Sequence, residues 1–367
     1  MPARALVLLL VLLAAGCGRS ERLEEPRIVG DALTVYSSLP QTGPQAPVAR
    51  DLVRAEKLAV EEAGGRAGEY RISFVSLDSA DPETGRWSPE RVAENARTAV
   101  EDLQTIAYLG ELEAGASTIS LPLLNAGGML QISPGDSFAG LEADRLSPSG
   151  RRTFARMVAD DDAQADALAA LVRRGTRRVV VADDGRPGGT ALGDALAERL
   201  RTRGVTVRRE RFDVDREPPP AVARRLRAAR ADAFVYAGGY GRFAGALLRS
   251  AAAVRRLQLL AADGLATDPR ELPEGLVLTA VDPPRDAASR DFARRFRARY
   301  GTDPDRRAVL GHRAMRLVLA AVERAGRDAD SRPAVIREAL AAGGPRPASF
   351  GVFHVDTGRL VRGAPAV

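Results

Sequence analysis

Short apolar segments alternate with helical segments along most of this chain, and this alternation constrains the fold more than any other feature. Residues 70–77 alternate between apolar and polar side chains like a half-buried strand, and residues 178–182 form the short apolar run typical of a buried one. Residues 48–63 and 190–203 carry the apolar periodicity of helices. Strands separated by helices form βαβ units, which build open parallel sheets covered on both faces. The sequence therefore predicts an α/β fold.

The alternation occurs in two similar halves, residues 31–153 and 154–281, which are followed by a mostly helical remainder and a last strand at residues 350–355. The chain of 367 residues is long enough for two domains of about 150 residues, each able to bury a core. We therefore expect two Rossmann-like lobes with parallel sheets. The first strand is expected to be short, at residues 34–36, because polar and turn-forming residues follow it.

Composition excludes several classes of function. The single cysteine and two histidines leave no internal disulfide, no cysteine-based metal cluster and little basis for histidine-centred catalysis. The formal net charge is +6, but 48 acidic residues are interspersed among 54 basic ones, which argues against a basic stripe for nucleic acid. The sequence also lacks a credible pairing of nucleophile and base. It predicts a protein that is not an enzyme and has no metal, no cofactor and no nucleic-acid partner.

The N-terminus resembles an export signal. Arg4 precedes an apolar run at residues 5–15 that is too short for a permanent membrane span. Small residues then lead to Cys17, as in the bacterial lipobox, whose cysteine is diacylated and becomes the first mature residue. We expect a lipoprotein signal peptide at residues 1–16, lipidation of Cys17 and a flexible tether at residues 17–30. The alternative is a plain secretory signal in which Cys17 is incidental.

Ligands of open α/β sheets bind beyond the carboxyl ends of the strands. The loops at these ends are therefore the candidate site, namely residues 37–47, 110–117, 133–141, 183–190, 237–242 and 262–266. In the loop at 110–117, small residues precede a predicted helix whose first turn presents free N–H groups, which suits a carboxylate or another anion. An ordinary strand-to-helix turn is the alternative.

Other loops offer further polar groups. The hydroxyls and carbonyls of residues 133–137 could contact both ends of a zwitterion, and Asp263 follows a buried strand where its carboxylate could bind an ammonium group. Tyr240 adds an aromatic face and a hydroxyl beside flexible glycines. Each of these could instead serve only its own turn. Residues 183–185 are interpreted as such a turn, and Trp87 as a packing residue.

One pattern points to a different class of protein. Gly239, Gly241 and Ala244 match the dinucleotide fingerprint G-x-G-x-x-G/A after a predicted strand, and Asp263 supplies the downstream acid. The pattern lies deep in the second half, however, rather than in the first βα unit. An exported dinucleotide-dependent enzyme therefore stays a distant alternative.

Four stretches of sequence carry a resemblance to a known family. They lie at residues 39–68, 110–137, 233–240 and 263–264. With the lipobox and the doubled halves, they resemble the substrate-binding proteins of branched-chain amino acid ABC transporters, the Leu/Ile/Val-binding family of type I periplasmic binding proteins. The resemblance covers about residues 32–360.

The resemblance implies a ligand site shared by two lobes. Its candidate residues are Ala114, Gly115, Ser133, Gly135, Ser137, Tyr240 and Asp263. The carboxylate of an amino acid would meet backbone and hydroxyl groups at Ala114, Gly115 and Ser137. The ammonium group would meet the Gly135 carbonyl and Asp263.

Tyr240 would close over the ligand from the second lobe. Three positions depart from the family pattern. Ala114 stands where members carry a serine, Gly188 stands near the place of a second-lobe tyrosine, and residues 45–46 lack an aromatic lid. The pocket is therefore expected to be wider, and the ligand need not be leucine, isoleucine or valine.

The resemblance also implies a clamshell with three hinge crossings, near residues 153, 281 and 348. Lobe one would comprise 31–153 and 282–347, and lobe two 154–281 and 348–367. Such a protein, a monomer held at the cell membrane by the lipid on Cys17, would capture an amino acid or related small polar ligand outside the cytoplasm. It would pass the ligand to ABC permease subunits. A ligand sensor with the same fold and no transporter is the alternative.

Overall fold

The computed structural model describes residues 27–215, 221–265 and 272–361, which form two α/β lobes. The six strands of the first sheet are β1 (Ala32–Leu39), β2 (Arg66–Ala67), β3 (Tyr70–Asp78), β4 (Thr105–Leu109), β5 (Leu130–Ser133) and β6 (Phe154–Arg156). Their order in the sheet is β2-β3-β1-β4-β5-β6, and only the short pairing of β2 with β3 is antiparallel. The connecting helices are α1 (Ala46–Glu62), α2 (Pro89–Glu101) and α3 (Ser117–Ala126).

The second sheet has seven strands among the described residues. They are β7 (Arg178–Asp183), β8 (Thr206–Arg211), β9 (Ala233–Tyr236), β10 (Gln258–Ala261), β11 (Leu276–Asp282), β12 (Ser349–His354) and β13 (Arg359–Val361). Their order is β13-β12-β11-β10-β9-β7-β8. The helices of this lobe are α4 (Asp161–Leu171), α5 (Pro187–Thr202), α6 (Val222–Ala228) and α7 (Ala244–Ala252).

The predicted α/β class and the two lobes are confirmed, but the sheets are mixed rather than purely parallel. β12 runs antiparallel to β11, and β13 runs antiparallel to β12. The helices between β11 and β12 pack in the first lobe, and only a short turn separates β12 from β13. Neither strand is therefore joined to its neighbour by a helix that crosses over the second sheet, which is the connection that makes neighbouring strands parallel.

β1 is longer than the strand predicted at residues 34–36, because it continues through its serines to the end of Ala32–Leu39. Ser38 is fully buried, and its Oγ donates to Glu111 Oε2 at 3.1 Å and accepts from Asn95 Nδ2 at 3.0 Å. A polar residue can continue a central strand when buried partners satisfy its hydrogen bonds. The short prediction was wrong because these partners are distant in sequence.

Three helices return to the first lobe after β11. They are α8 (Ala287–Tyr300), α9 (Ala308–Ala325) and α10 (Arg332–Leu340). Their buried apolar side chains share one core with α1 and the first sheet, for example Leu58, Phe296 and Met315. Arg332 fixes α10 against this lobe, since its Nε donates to the Thr105 carbonyl at 2.9 Å.

The chain passes between the two sheets three times. It leaves the first sheet after Arg156, returns after Asp282, and enters the second sheet again at Ser349. The first and third passages run side by side, because the Ala159 N–H donates to the Ala348 carbonyl at 2.7 Å. All three connections between the lobes therefore lie close to strand ends at one side of the molecule.

Two of the predicted boundaries need correction. The sequence places the start of the second lobe at residue 154, but residues 154–156 form β6 and pair with β5 in the first sheet. A strand of three residues is too short for its periodicity to be recognised. Asp282 likewise ends β11 rather than starting the return to the first lobe. The predicted signal peptide and Cys17 lie outside the described residues, as does most of the tether.

Candidate functional site

A cavity of about 70 Å³ lies between the two lobes, at the carboxyl ends of strands from both sheets. Loops after β1, β3, β4 and β5 contribute to its first-lobe wall, and loops after β7, β9 and β10 contribute to its second-lobe wall. Its volume is well below the roughly 300–1,000 Å³ of common ligand pockets, so the lobes are closed against each other. The charged side chains that line it are Arg86, Glu113, Asp161, Asp184, Arg186, Asp263 and Arg307.

The cavity brings together four of the seven residues proposed from the sequence. Ala114, Gly135, Ser137 and Asp263 line it. The other three, Gly115, Ser133 and Tyr240, lie nearby but are not part of its lining.

Asp136 occupies the helix start that the sequence offers to a ligand. Its Oδ1 accepts the Gly115 N–H at 2.8 Å and its Oδ2 accepts the Ser117 N–H at 2.7 Å. Burial raises the pKa of this carboxyl, while its hydrogen bonds to backbone N–H groups lower it. The prediction that this turn presents free N–H groups is therefore wrong at Gly115 and Ser117, because the chain supplies its own carboxylate there.

Ser133 holds the neighbouring loop in shape rather than facing the cavity. Its Oγ donates to the Glu111 carbonyl at 2.7 Å and accepts the Asp136 N–H at 2.7 Å. Tyr240 packs against the apolar core of the second lobe, and its N–H donates to the Gly264 carbonyl at 3.2 Å. Ser133 thus positions the lining residues that follow it, and Tyr240 supports the loop after β10.

Asp263 is held so that its carboxylate faces the cavity. It follows β10 in the short turn Asp263–Leu265, and its Oδ1 accepts a hydrogen bond from Gln164 Nε2 at 2.8 Å. The same amide nitrogen donates to Thr279 Oγ1 at 2.9 Å. Gln164 therefore fixes the acid between α4 and β11 without neutralising its charge.

Arg86 bridges the two lobes across the cavity. It lies in the loop after β3, and its guanidinium donates to Asp184 Oδ2 and to Asp215 Oδ2, both at 2.9 Å. Arg86 and Asp184 side chains are only 3% and 2% exposed, so water screens this ion pair little. Burial lowers the pKa of Arg86, but the nearby carboxylates outweigh burial and raise it.

Trp87 and Arg186 form a second contact between the lobes. The Arg186 guanidinium lies 5.6 Å from the centre of the Trp87 ring, and its Nη1 donates to the Trp87 carbonyl at 3.2 Å. Trp87 is buried, as expected for a packing residue, but it also lines the cavity. The interpretation of Trp87 as packing alone was therefore incomplete.

The lobes approach closely at residues 114 and 188, two positions where the sequence has unusually small side chains for this resemblance. A Cβ atom placed on Gly188 would lie 2.6 Å from the Ala114 carbonyl oxygen and 2.7 Å from the Ala114 Cβ, too close for real atoms. The small residues at 114 and 188 thus permit backbone contact between the lobes. At these two positions the space freed by the small side chains is used for closer approach of the lobes.

Asp161 is a lining acid that the sequence analysis did not propose. It begins α4, its side chain is buried, and neither carboxylate oxygen has a hydrogen-bond partner among the described residues. Burial raises its pKa to about 7, the nearby Ser137 hydroxyl opposes this shift, and the negative charges of Asp136 and Asp263 add to it. A cationic group in the cavity would stabilise the ionised form of this carboxyl.

Glu113 is a second such acid, in the loop after β4. Within the described parts of the chain its carboxylate takes part in no hydrogen bond or ion pair. Burial raises its pKa, and the guanidinium groups of Arg86 and Arg186 lower it. Glu113 therefore faces the cavity without a hydrogen-bond partner, and the charges of Arg86 and Arg186 compensate its carboxylate in part.

Sequence signals for these missed residues exist but are indirect. Asp184 lies in the loop at 183–190, which the strand-end argument includes, but it was interpreted as a simple turn. Arg86 lies after β3, at the same sheet edge, and an inspection of every strand end would have included it. Asp161 follows β6, so the failure to recognise that strand also hid Asp161.

The dinucleotide pattern does not form a phosphate site in this structure. The Gly239 N–H donates to Asp184 Oδ2 at 3.2 Å, so a carboxylate lies where a diphosphate would accept it. A Cβ on Gly241 would lie 2.8 Å from Asp215 Oδ1, which places a second acid at the same turn. Negative charge at this loop opposes the binding of a phosphate anion.

Comparison with known proteins decides the family. Residues 37–364 match the family described as periplasmic binding protein, which is most of the chain. The chain belongs to this family. Periplasmic binding proteins are ligand-binding proteins rather than enzymes, and membership implies a location outside the cytoplasm.

Solved periplasmic binding protein structures share the fold. A leucine-binding protein from Thermotoga maritima is 22% identical with a TM-score of 0.76, over 90% of this chain and 98% of that one. A solute-binding protein of an ABC transporter from R. palustris, in complex with benzoate, is 21% identical with a TM-score of 0.75, over 92% and 97%. A branched-chain amino acid transporter substrate-binding protein from Streptococcus pneumoniae, in complex with isoleucine, is 17% identical with a TM-score of 0.72, over 90% and 97%.

No curated protein matches this chain in sequence. Within residues 27–215, 221–265 and 272–361, no helix is both long enough and apolar enough to cross a membrane. The same part of the chain contains no cluster of three or more histidine, cysteine or acidic side chains arranged to hold a metal ion.

Proposed function

We propose that this chain is an extracytoplasmic solute-binding protein that captures a small polar ligand, an amino acid or a related compound, and delivers it to an ABC importer. The cavity between the lobes carries the proposal, because residues of both lobes line it and seven of these residues are ionisable. Structural neighbours that bind leucine, isoleucine or benzoate support the assignment to solute capture.

In this proposal, the ligand first contacts the wall formed by Ala114, Gly135 and Ser137. The second lobe then brings Asp263 against it by rotation about the three passages, which act as hinges near residues 156–160, 282–286 and 344–348. Closure is favoured only to the extent that the closed form binds the ligand more tightly than the open form. The ligand leaves unchanged when the permease subunits open the lobes.

The anchor and the assembly state are further parts of the proposal. Lipid on Cys17 would hold a monomer at the membrane surface, within reach of the permease, and residues 18–30 would serve as the tether. Two acyl chains on one cysteine are sufficient for stable anchoring, whereas a single chain gives only marginal binding. Fractionation of cells expressing Cys17→Ser tests the anchor, since the variant protein should leave the membrane fraction.

Ligand binding is testable with the full chain. A thermal-shift screen against amino acids, amides and small carboxylates should identify a compound that raises the melting temperature, as any ligand that binds only the folded state must do. For an amine ligand, Asp263→Asn should weaken binding by about 30-fold or more in calorimetry, because a buried charge pair is worth about 2–5 kcal/mol. Asp162→Asn, an exposed change on α4, is the control. If no small solute binds, the proposed function is contradicted.

A further inference from the structure

The cavity wall carries an excess of negative charge, because four of its seven charged side chains are carboxylates and three are guanidinium groups. Asp161 is 2% exposed, lines the cavity, and presents two carboxylate oxygens without a hydrogen-bond partner in the described structure. An ionised carboxyl in such a place is costly unless a positive group is supplied. Helix α4 reduces part of this cost, since Asp161 lies in its first turn, but the helix provides no charge that could pair with it.

A second and smaller excess of negative charge surrounds Glu113, where two guanidinium groups face three carboxylates. The electrostatic neighbours of Glu113 are Arg86, Arg186, Asp184 and Asp215. Those of Asp161 are different residues, namely Asp136, Asp263 and Arg156. The two acids therefore have different charged neighbours, each set has a net negative charge when the acid itself is counted, and one monovalent cation cannot neutralise both.

The arginines of the lining are already engaged by protein groups. Arg86 binds two aspartates, and Arg186 contacts the face and the carbonyl of Trp87. Arg307 Nε lies 3.4 Å from Asp305 Oδ1, although its Nη2 has no hydrogen-bond partner among the described residues. Three arginines thus face four carboxylates in the lining, and a fifth carboxylate, Asp136, lies directly behind the first-lobe wall.

We propose that the ligand carries two positive groups on an aliphatic stem, with one held by Asp161 and Asp263 and the other by Glu113. This inference rests on the proposed function and defines its substrate class. A basic amino acid and a short diamine share this chemistry, and Leu112, Leu192 and Val281 supply apolar lining for the stem. An amino acid carboxylate would use the remaining groups of the first-lobe wall, such as Ser137.

Titration of Asp161 provides an independent signature of this arrangement. The charged groups that face it are Asp136, Asp263 and Arg156, and in the absence of ligand burial raises its pKa to about 7. An ammonium group at Asp161 would lower that pKa, so binding at pH 6.5 should release a proton. The affinity should accordingly rise between pH 6 and pH 8.

Calorimetry on the full chain can test the proposal with matched pairs of probes. L-lysine is compared with L-norleucine, and 1,5-diaminopentane with pentylamine, because each pair shares a stem and differs in one terminal amine. We expect the dicationic member of at least one pair to bind ten-fold or more tightly than its partner. L-glutamate should bind more weakly than either amino acid, and the two pairs distinguish an amino acid from a diamine as the preferred ligand.

Two variants locate the charges. Glu113→Gln should remove most of the difference between L-lysine and L-norleucine, or between the diamine and the amine. Asp161→Asn should weaken the dication and abolish the release of a proton at pH 6.5. Asp162→Asn, one residue further along α4 and exposed, should change neither the affinity for the dication nor the release of a proton.

The outcomes separate this inference from the proposed function. Equal affinities within both pairs, or unchanged dication binding in both variants, would overturn the dication site while leaving solute capture intact. Binding of leucine or a small carboxylate without binding of any dication would do the same. Failure of every probe and of the broad screen would overturn both proposals. The comparison of matched probes on the wild-type protein tests the dication site even if a variant does not fold.

Discussion

Glu56 shows how a single ionisable side chain can set the pH dependence of this protein. It lies on the buried face of α1, and neither of its carboxylate oxygens has a hydrogen-bond partner in the described structure. Burial raises its pKa to about 8, although the nearby Ser37 hydroxyl opposes this shift. In the folded protein Glu56 is therefore mostly protonated at neutral pH, whereas in the unfolded chain it ionises near pH 4.5.

Replacing Glu56 by glutamine should make stability less dependent on pH. Between about pH 4.5 and pH 8 the folded state keeps a proton that the unfolded state loses, so the free energy of unfolding decreases as the pH rises. Glu56→Gln removes this linkage, and since a tenfold change in proton affinity is about 1.4 kcal/mol, it should stabilise the protein at pH 8 by a few kcal/mol more than at pH 5. Urea unfolding at both pH values measures the difference.

Glu61→Gln is the control on the same helix. The Arg299 guanidinium lowers the pKa of this partly exposed carboxyl. Removing the carboxylate should therefore lower the stability slightly at pH 8 rather than raise it. If the free energy of unfolding changes equally with pH in the Glu56→Gln variant and the wild-type protein, Glu56 is charged in the folded state.

Some residues of the candidate site could be predicted from the sequence and others could not. Asp263 was predictable because a buried apolar run ends directly before it, and it lines the cavity. The role of Asp136 was missed because hydrogen bonds to residues about twenty positions earlier, at Gly115 and Ser117, leave no local pattern. The same reason hides Arg86, whose partners Asp184 and Asp215 belong to the other lobe.

At the scale of elements, the start of α5 controls how closely the lobes approach. Gly188 lies in the first turn of this helix and contacts the loop that ends at α3. The helix itself was recognisable from its periodicity. Its tight contact with Ala114 was not, because the contact depends on the closed arrangement of two separate lobes.

A methyl group at position 188 should therefore hinder closure. Gly188→Ala would place its Cβ 2.6 Å from the Ala114 carbonyl, so the closed form must shift, whereas the open form is unaffected. The ligand affinity should fall ten-fold or more. The melting temperature without ligand should stay the same or rise, since alanine favours a helix more than glycine does. Calorimetry and thermal unfolding give the two readouts, and unchanged affinity would mean that the lobes need not come this close.

Element prediction succeeded where segments were long and failed where they were short or coupled to distant parts. α9, with buried residues along its apolar face, is a long helix of the predicted helical remainder. β6 has three residues and was missed, which displaced the first lobe boundary. β13 was also missed, because it is short and depends on pairing with β12.

For the whole molecule, the balance between closed and open forms depends on buried charge at the lobe boundary. Arg86 satisfies Asp184 and Asp215 only while the lobes are together, and the guanidinium is 3% exposed in that state. Water would hydrate all three groups in an open form. The ion pairs therefore fix the relative orientation of the lobes more than they stabilise closure, because desolvation offsets much of their attraction.

Removing one member of this network should open the molecule. Arg86→Met leaves Asp184, Asp215 and Glu113 without their shared cation in the closed form, and breaking a buried pair in this way costs about 3–5 kcal/mol. In the presence of the ligand that the thermal-shift screen identifies, the variant should keep a larger radius of gyration than the wild-type protein in small-angle X-ray scattering, and its ligand affinity should be reduced by a hundred-fold or more. Arg91→Met, which removes an exposed arginine of α2, should leave both quantities unchanged. An identical scattering profile for Arg86→Met and the wild-type protein would show that other contacts between the lobes determine closure.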